Sequence, residues 1–180
     1  MSKLAPTPSQ TVGPFFHYAL PYDGDRDLIA PGTPGAVQLS GVVYDGAGNP
    51  IPDALVEVWQ PGPDGVVIQE HGSLRRDGFT FTGFGRASTD RTGKYVFSTL
   101  LPGSMAEGRA PYFALAVFAR GLLNRCLTRA YLPGELVEDD PFLATVPAER
   151  RHTLIAAQEG DRITFDIRLQ GEDETVFFGR

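Results

Sequence analysis

Few side chains in this 180-residue sequence could carry acid–base, nucleophilic or metal chemistry unaided. There are three histidines, His17, His71 and His152, and one cysteine, Cys126. No histidine has another histidine or a cysteine at the short spacing of a metal-ligand pair. A metal held by all three from distant parts of the chain is conceivable, but solvated or hydrogen-bonded histidines are the plainer reading. One cysteine excludes an intrachain disulfide and a multi-cysteine zinc or iron–sulfur site. In its apolar setting beside Leu127, Cys126 reads as a small strand hydrophobe rather than a nucleophile. There is no Gly-x-Ser-x-Gly, no P-loop and no Gly-x-Gly-x-x-Gly after a strand. Sixteen Lys+Arg against 22 Asp+Glu give a net charge of −6, which argues against non-specific nucleic-acid binding. Residues Met1 to Pro6 lack the apolar stretch of a signal peptide, and the longest apolar run, Ala110 to Ala119, is too short to cross a bilayer. The expectation is a cytoplasmic protein.

The elements that must position any site are strands. With 21 glycines and 15 prolines the chain turns often. Pro6, Pro8, Pro14, Pro21, Pro31 and Pro34 exclude a long helix from residues 1–35. The same stretch carries Phe15, Phe16, Tyr18, Leu20 and Tyr22, so it reads as an extended arm packed on its own domain or on another chain. From Ala36 the period is two. Val37 to Tyr44, Ala54 to Gln60, Phe79 to Thr82, Lys94 to Thr99, Tyr112 to Phe118 and Arg125 to Leu132 read as strands between Gly/Pro turns. Tyr112 to Phe118 is apolar on both faces and should be central. Ile163, Phe165, Ile167 and Leu169 alternate with polar residues as one half-buried strand. Trp59 is expected in the core. The one helix candidate is Pro133 to Leu143. The fold class is all-β: a β-sandwich over 36–180 with long loops, an N-terminal arm over 1–35 and little helix.

Longer motifs carry a resemblance. Thr7-Pro8-Ser9-Gln10-Thr11-Val12-Gly13-Pro14-Phe15-Phe16 is one. Gly41-Val42-Val43-Tyr44-Asp45-Gly46, Pro50-Ile51-Pro52-Asp53-Ala54-Leu55-Val56-Glu57-Val58-Trp59-Gln60, Phe84-Gly85-Arg86, Gly93-Lys94-Tyr95-Val96-Phe97 and Leu101-Pro102-Gly103 follow in order. Together they resemble the intradiol ring-cleaving dioxygenases. Phe118-Ala119-Arg120-Gly121, Thr128-Arg129-Ala130-Tyr131-Leu132 and Ile167-Arg168-Leu169-Gln170-Gly171 narrow the resemblance to the alpha chains of the family's two-chain members. It implies a β-sandwich that inserts both atoms of O2 into an aromatic ring between adjacent hydroxyls. The implied substrate is protocatechuate, which becomes 3-carboxy-cis,cis-muconate in the beta-ketoadipate route. The implied cofactor is ferric iron on two tyrosinates and two histidines, a hard anionic set suited to Fe(III).

The sequence departs from that ligand pattern. Tyr112 and Ala114 stand where the family's paired histidines should be. No tyrosine follows Pro102-Gly103, where Ser104-Met105 stands, and none falls near Val67 in Gly65-Val66-Val67-Ile68. By this resemblance the chain holds no catalytic iron. The Fe(III) belongs to a partner beta subunit in a high-order alpha–beta assembly. This chain would shape the substrate cleft with Thr11, Gly13, Pro14 and Phe15 in the arm, and with Arg129. A guanidinium can pair with the carboxylate that protocatechuate carries opposite its hydroxyls. Without the resemblance, Arg129 reads as half of a structural ion pair, as do Arg86 and Arg109. Two alternatives stay open: a self-sufficient dioxygenase with a displaced iron, and a sandwich binding module of the transthyretin or carbohydrate-binding kind.

Overall fold

Alternation from Ala36 onward produces a nine-residue strand, β1 (Ala36–Tyr44), whose Val37, Leu39 and Val43 turn inward. The computed structural model of the chain describes residues 6–13, 15–68 and 76–179. Within them follow β2 (Leu55–Trp59), β3 (Phe84–Ser88), β4 (Lys94–Leu100), β5 (Tyr112–Phe118) and β6 (Cys126–Tyr131). The short β7 (Ala157–Glu159), β8 (Arg162–Thr164) and β9 (Ile167–Arg168) come last. One sheet has the order β4-β1-β8-β7, with β9 also paired to β1; the other is β3-β2-β5-β6. Val37, Leu39, Tyr95, Phe97 and Ile163 of the first sheet meet Val56, Val58, Phe113, Leu115 and Val117 of the second in one buried cluster. That is a β-sandwich. The doubly apolar β5 lies between β2 and β6, as its composition requires.

Leu28 and Ile29 join the core, and Leu28 N–H donates to the Ser98 carbonyl at 2.9 Å. This leaves residues 6–13 and 15–20 as the outer part of the expected arm, where Phe15, Tyr18 and Leu20 are exposed. Its one helical turn, α1 (Phe16–Ala19), buries no residue. Arg86 Nη1 holds the arm's base by donating to the Leu20 carbonyl at 3.0 Å.

β3 (Phe84–Ser88) is a strand that the alternation does not mark, and three further segments differ from their sequence reading. Ile163 to Leu169 is broken into β8 and β9. There, Tyr95 Oη donates to the Phe165 carbonyl at 2.5 Å, and Asp166 accepts from the Val42 N–H at 2.9 Å. Gly41 makes the close approach possible, because a Cβ there would stand 1.8 Å from the Phe165 oxygen. Phe79 to Thr82 is a bend running into irregular chain rather than a strand, with Phe79 exposed. The carboxylate of Asp77 gathers the Thr80 hydroxyl and the N–H groups of Phe79 and Thr80, which offers this segment a local alternative to pairing. Those bonds, the Thr80 hydroxyl first, hold the Asp77 carboxyl down at about 2. The expected helix shrinks to one turn, α2 (Leu136–Asp139). Pro141 forces Asp140 into an extended conformation (φ −62°, ψ 118°) and ends it. A seven-residue 3-10 helix, Ala148–Leu154, had no periodic signal. No helix among the described residues is long and apolar enough to cross a membrane.

Candidate functional site

The register of the second sheet builds one outward-facing row. Phe84 pairs with Trp59, Trp59 with Ala114, and Ala114 with Arg129. Neighbouring strands lie ~4.8 Å apart, so the row is about 14 Å long. Trp59 is 53% exposed, its ring tilted against Phe84 at 4.4 Å, and does not belong to the core. The inward positions of β2 are taken by Val56 and Val58, which puts Trp59 on the face of Glu57. Next to this row, Arg86 is bound to Glu57 at 2.6 Å and is a structural ion pair.

Arg129 ends the row inside an aromatic clamp. Its guanidinium carbon lies 3.8 Å from the ring centre of Phe142, 4.3 Å from that of Tyr112 and 5.9 Å from that of Phe178. Nη1 donates to Tyr131 Oη at 3.0 Å. Burial pushes the Tyr131 phenol above its ordinary value and outweighs the pull of Arg129, so the phenol accepts that bond in its neutral form. Among the described residues Arg129 has no carboxylate partner. Cation–π contacts are worth ~0.5–2 kcal/mol each, enough to fix a long side chain that would otherwise sample many rotamers. The result is a cation held against three rings, with its remaining N–H groups left to meet an anion.

A cavity of about 290 Å³ opens beside the clamp, lined by Pro61, Met105, Arg109, Tyr112, Arg129 and Phe142 among others. Interlocked glycine turns make its rim. A Cβ on Gly103 would stand 2.3 Å from the Pro63 carbonyl oxygen, and one on Gly65 2.0 Å from that of Ser104. Of the four positions where the resemblance sets iron ligands, two line this cavity and two lie beside residues that do. Met105 and Tyr112 line the cavity. Ala114 is cross-strand from Arg129, and Val67 pairs with the lining residue Pro61. Arg109, which also lines the cavity, is 3.9 Å from the buried Asp140.

The arm lies elsewhere. Thr11 Oγ1 accepts from the Gly121 N–H at 2.9 Å, on the loop joining β5 to β6. Arg129 pairs in the body of that hairpin, so the chain by itself does not unite the two parts of the expected cleft. Gly13 has open space where a Cβ would be, with no described residue within 4 Å of it. Phe15 is 73% exposed. Pro14 lies outside the described residues, as does His71. His17 sits in α1, and His152 faces Asp173 at 3.7 Å. Cys126 opens β6, packed against the core's edge. The sequence reading missed Phe142, Phe178 and the outward Trp59. Only Trp59 had a signal, its shared parity with the charged Glu57.

Residues 12–171 match the protein family described as Dioxygenase. The chain belongs to the intradiol ring-cleavage dioxygenases. It is 41% identical to the protocatechuate 3,4-dioxygenase alpha chain of Burkholderia cepacia, over 99% of both chains. It is 30% identical to the beta chain of that organism's protocatechuate 3,4-dioxygenase, over 93% of this chain and 77% of the relative. Among solved structures, the dioxygenase domain of a dioxygenase–carbohydrate-binding fusion from Streptomyces sp. SirexAA-E superposes with a TM-score of 0.57 at 25% identity, covering 93% of this chain and 99% of that one. An intradiol ring-cleavage dioxygenase from Tetranychus urticae reaches 0.62 at 16% identity, covering 95% and 97%, which supports the fold alone.

The family is iron-dependent, and the residues around this cavity do not fit the ion. Met105, Val67 and Ala114 offer no hard anionic donor, and both oxygens of the lining Asp140 already accept backbone N–H bonds. Tyr112 offers one phenol, under the face of a guanidinium. A fixed positive charge at that point opposes a second cation. Among the described residues no group of three or more His, Cys, Asp or Glu is placed to hold a metal.

Proposed function

We propose that this chain is the iron-lacking alpha subunit of a protocatechuate 3,4-dioxygenase and that the ferric iron sits on a beta subunit docked against its second sheet. The observation that carries the reading is Arg129: a guanidinium set over aromatic rings, with no carboxylate partner among the described residues, in one cross-strand row with the exposed Trp59. The iron would supply the oxygen chemistry and the chelation of the two ring hydroxyls. This chain's residues would do the rest. Arg129 would receive the substrate's carboxylate and so orient the ring, and the arm would close one wall of the cleft with Thr11, Gly13, Pro14 and Phe15. Among the described residues nothing stands within 4 Å of a Cβ at Gly13, which leaves room there for a neighbour that approaches from outside. The outward Phe15, Tyr18 and Leu20 suit burial on that neighbour. This gives the arm of residues 1–35 two parts: a base seated on its own sandwich and a tip for the partner.

Reconstitution tests it. This chain alone should show no ring cleavage with protocatechuate and O2. Mixed with the beta chain of the same organism it should raise that chain's activity, with cleavage between the hydroxyl-bearing carbons. Full activity of the beta chain without it would overturn the reading.

A further inference from the structure

We propose that Asp140 is the positioning residue for Arg129: one buried carboxylate ties together the two segments that carry the rings of the clamp. The inference rests on the reading of Arg129 as the receptor for the substrate's carboxylate. The Asp140 side chain is 2% exposed, and its two oxygens face three backbone donors. Oδ1 accepts from the N–H groups of Phe142 at 2.8 Å and Leu143 at 3.0 Å, which closes an Asx turn leading into the 3-10 turn Leu143–Thr145 and fixes Phe142. Oδ2 accepts from the Ala110 N–H at 3.0 Å, thirty residues away in the chain. The lever from Ala110 to the other ring is short and stiff. Pro111 follows with its φ fixed by the pyrrolidine ring, and its carbonyl is held by the Leu132 N–H at 3.0 Å. Tyr112 comes next and opens β5. Phe142 and Tyr112, the rings 3.8 Å and 4.3 Å from the guanidinium, therefore hang from the same carboxylate.

The chemistry accounts for an aspartate at this place. A serine can cap a short turn, but its single oxygen does not also reach Ala110. An asparagine has one acceptor oxygen, and its amide would turn N–H groups toward an N–H group, leaving a buried donor unpaired. Only a group that accepts on both arms serves all three donors. Arg109 is not needed for this, since its Nη1 is 3.9 Å away, beyond a hydrogen bond. With the tie cut, the rings part and Arg129 regains rotamers that it must lose again when it meets an anion.

The test uses the assembled two-chain enzyme carrying Asp140→Asn or Asp140→Ser, with Arg129→Ala alongside. KM and kcat are measured for protocatechuate and for catechol, which lacks the carboxylate. Expected is a KM for protocatechuate raised about tenfold with KM for catechol within about twofold of the parent and kcat little changed. A folded Asp140 variant with the parent's KM ratio, beside an Arg129→Ala variant that shifts it, overturns the role of Asp140 alone. An unshifted ratio in Arg129→Ala removes the underlying reading, and this inference with it. If both Asp140 variants fail to assemble while Arg129→Ala assembles, Asp140 serves the fold rather than the clamp, and the proposal is wrong.

Discussion

Arg129→Ala in the assembled enzyme is expected to raise KM for protocatechuate by about 30-fold or more while leaving KM for catechol nearly unchanged. Truncating one partner of a desolvated charge pair typically costs ~2–5 kcal/mol, much of it the penalty of leaving the other charge unmatched. Catechol brings no carboxylate, so it has no charge to leave unmatched. An ordinary structural arginine would behave otherwise. Its loss would weaken both substrates alike, or lower stability and spare both. The structure already removes the usual structural explanation, because no acidic side chain among the described residues is paired with Arg129. What holds it is aromatic, and Lys would not replace it: an ammonium lacks the planar, delocalised face and the fork of donors that a guanidinium brings to Tyr112, Phe142 and an anion. Arg129→Lys should therefore recover only a small part of the loss. Equal changes for both substrates would end the carboxylate role.

Trp59→Asp is expected to weaken association with the beta subunit by about 30-fold or more, since exposed tryptophans at the centre of an interface commonly contribute ~2 kcal/mol or more. The chain's own stability should fall by only about 1 kcal/mol, the worth of the lost contact with Phe84. The two numbers separate two pictures of Trp59. A core tryptophan cut back would cost ~3–5 kcal/mol in the chain itself. Trp59 is 53% exposed and lies in a row with Phe84, Ala114 and Arg129, so its payload is still unspent in the lone chain. Placing a charge there puts an unpaired carboxylate into the desolvated face. Analytical ultracentrifugation of the mixed chains reads the association, and denaturant unfolding of this chain reads the fold. A large loss of stability with unchanged association would reverse the assignment.

Strand content was legible because burial imposes a period. β5 fell where expected, at Tyr112–Phe118, and β2, β4 and β6 within a residue at each end. The misses have physical causes. Ile163 to Leu169 alternates throughout, yet Tyr95 and Asp166 make bonds that alternation does not encode, and the strand breaks between them. Phe79 to Thr82 has strand composition, but the nearby Asp77 carboxylate satisfies its backbone locally. Trp59 shares its parity with the charged Glu57, and register rather than hydrophobicity decides which face it takes. For the site, the emptied ligand positions were visible as missing donor types, and Arg129 only through resemblance to a family. Its clamp was invisible. Tyr112, Phe142 and Phe178 come from three separate segments, and no local pattern records that they meet. Asp140 looked like one acidic residue in a helix that the following proline cuts short.

The central claim is that the iron of this enzyme is held by another chain. Native mass spectrometry with metal analysis, on the protein purified gently from its own cells, tests it most directly. The expected result is two different chains in equal amount with about one iron per pair, the iron staying with the partner when the chains are separated. Stoichiometric iron retained by this chain alone would contradict it and return Tyr112 to the list of ligands.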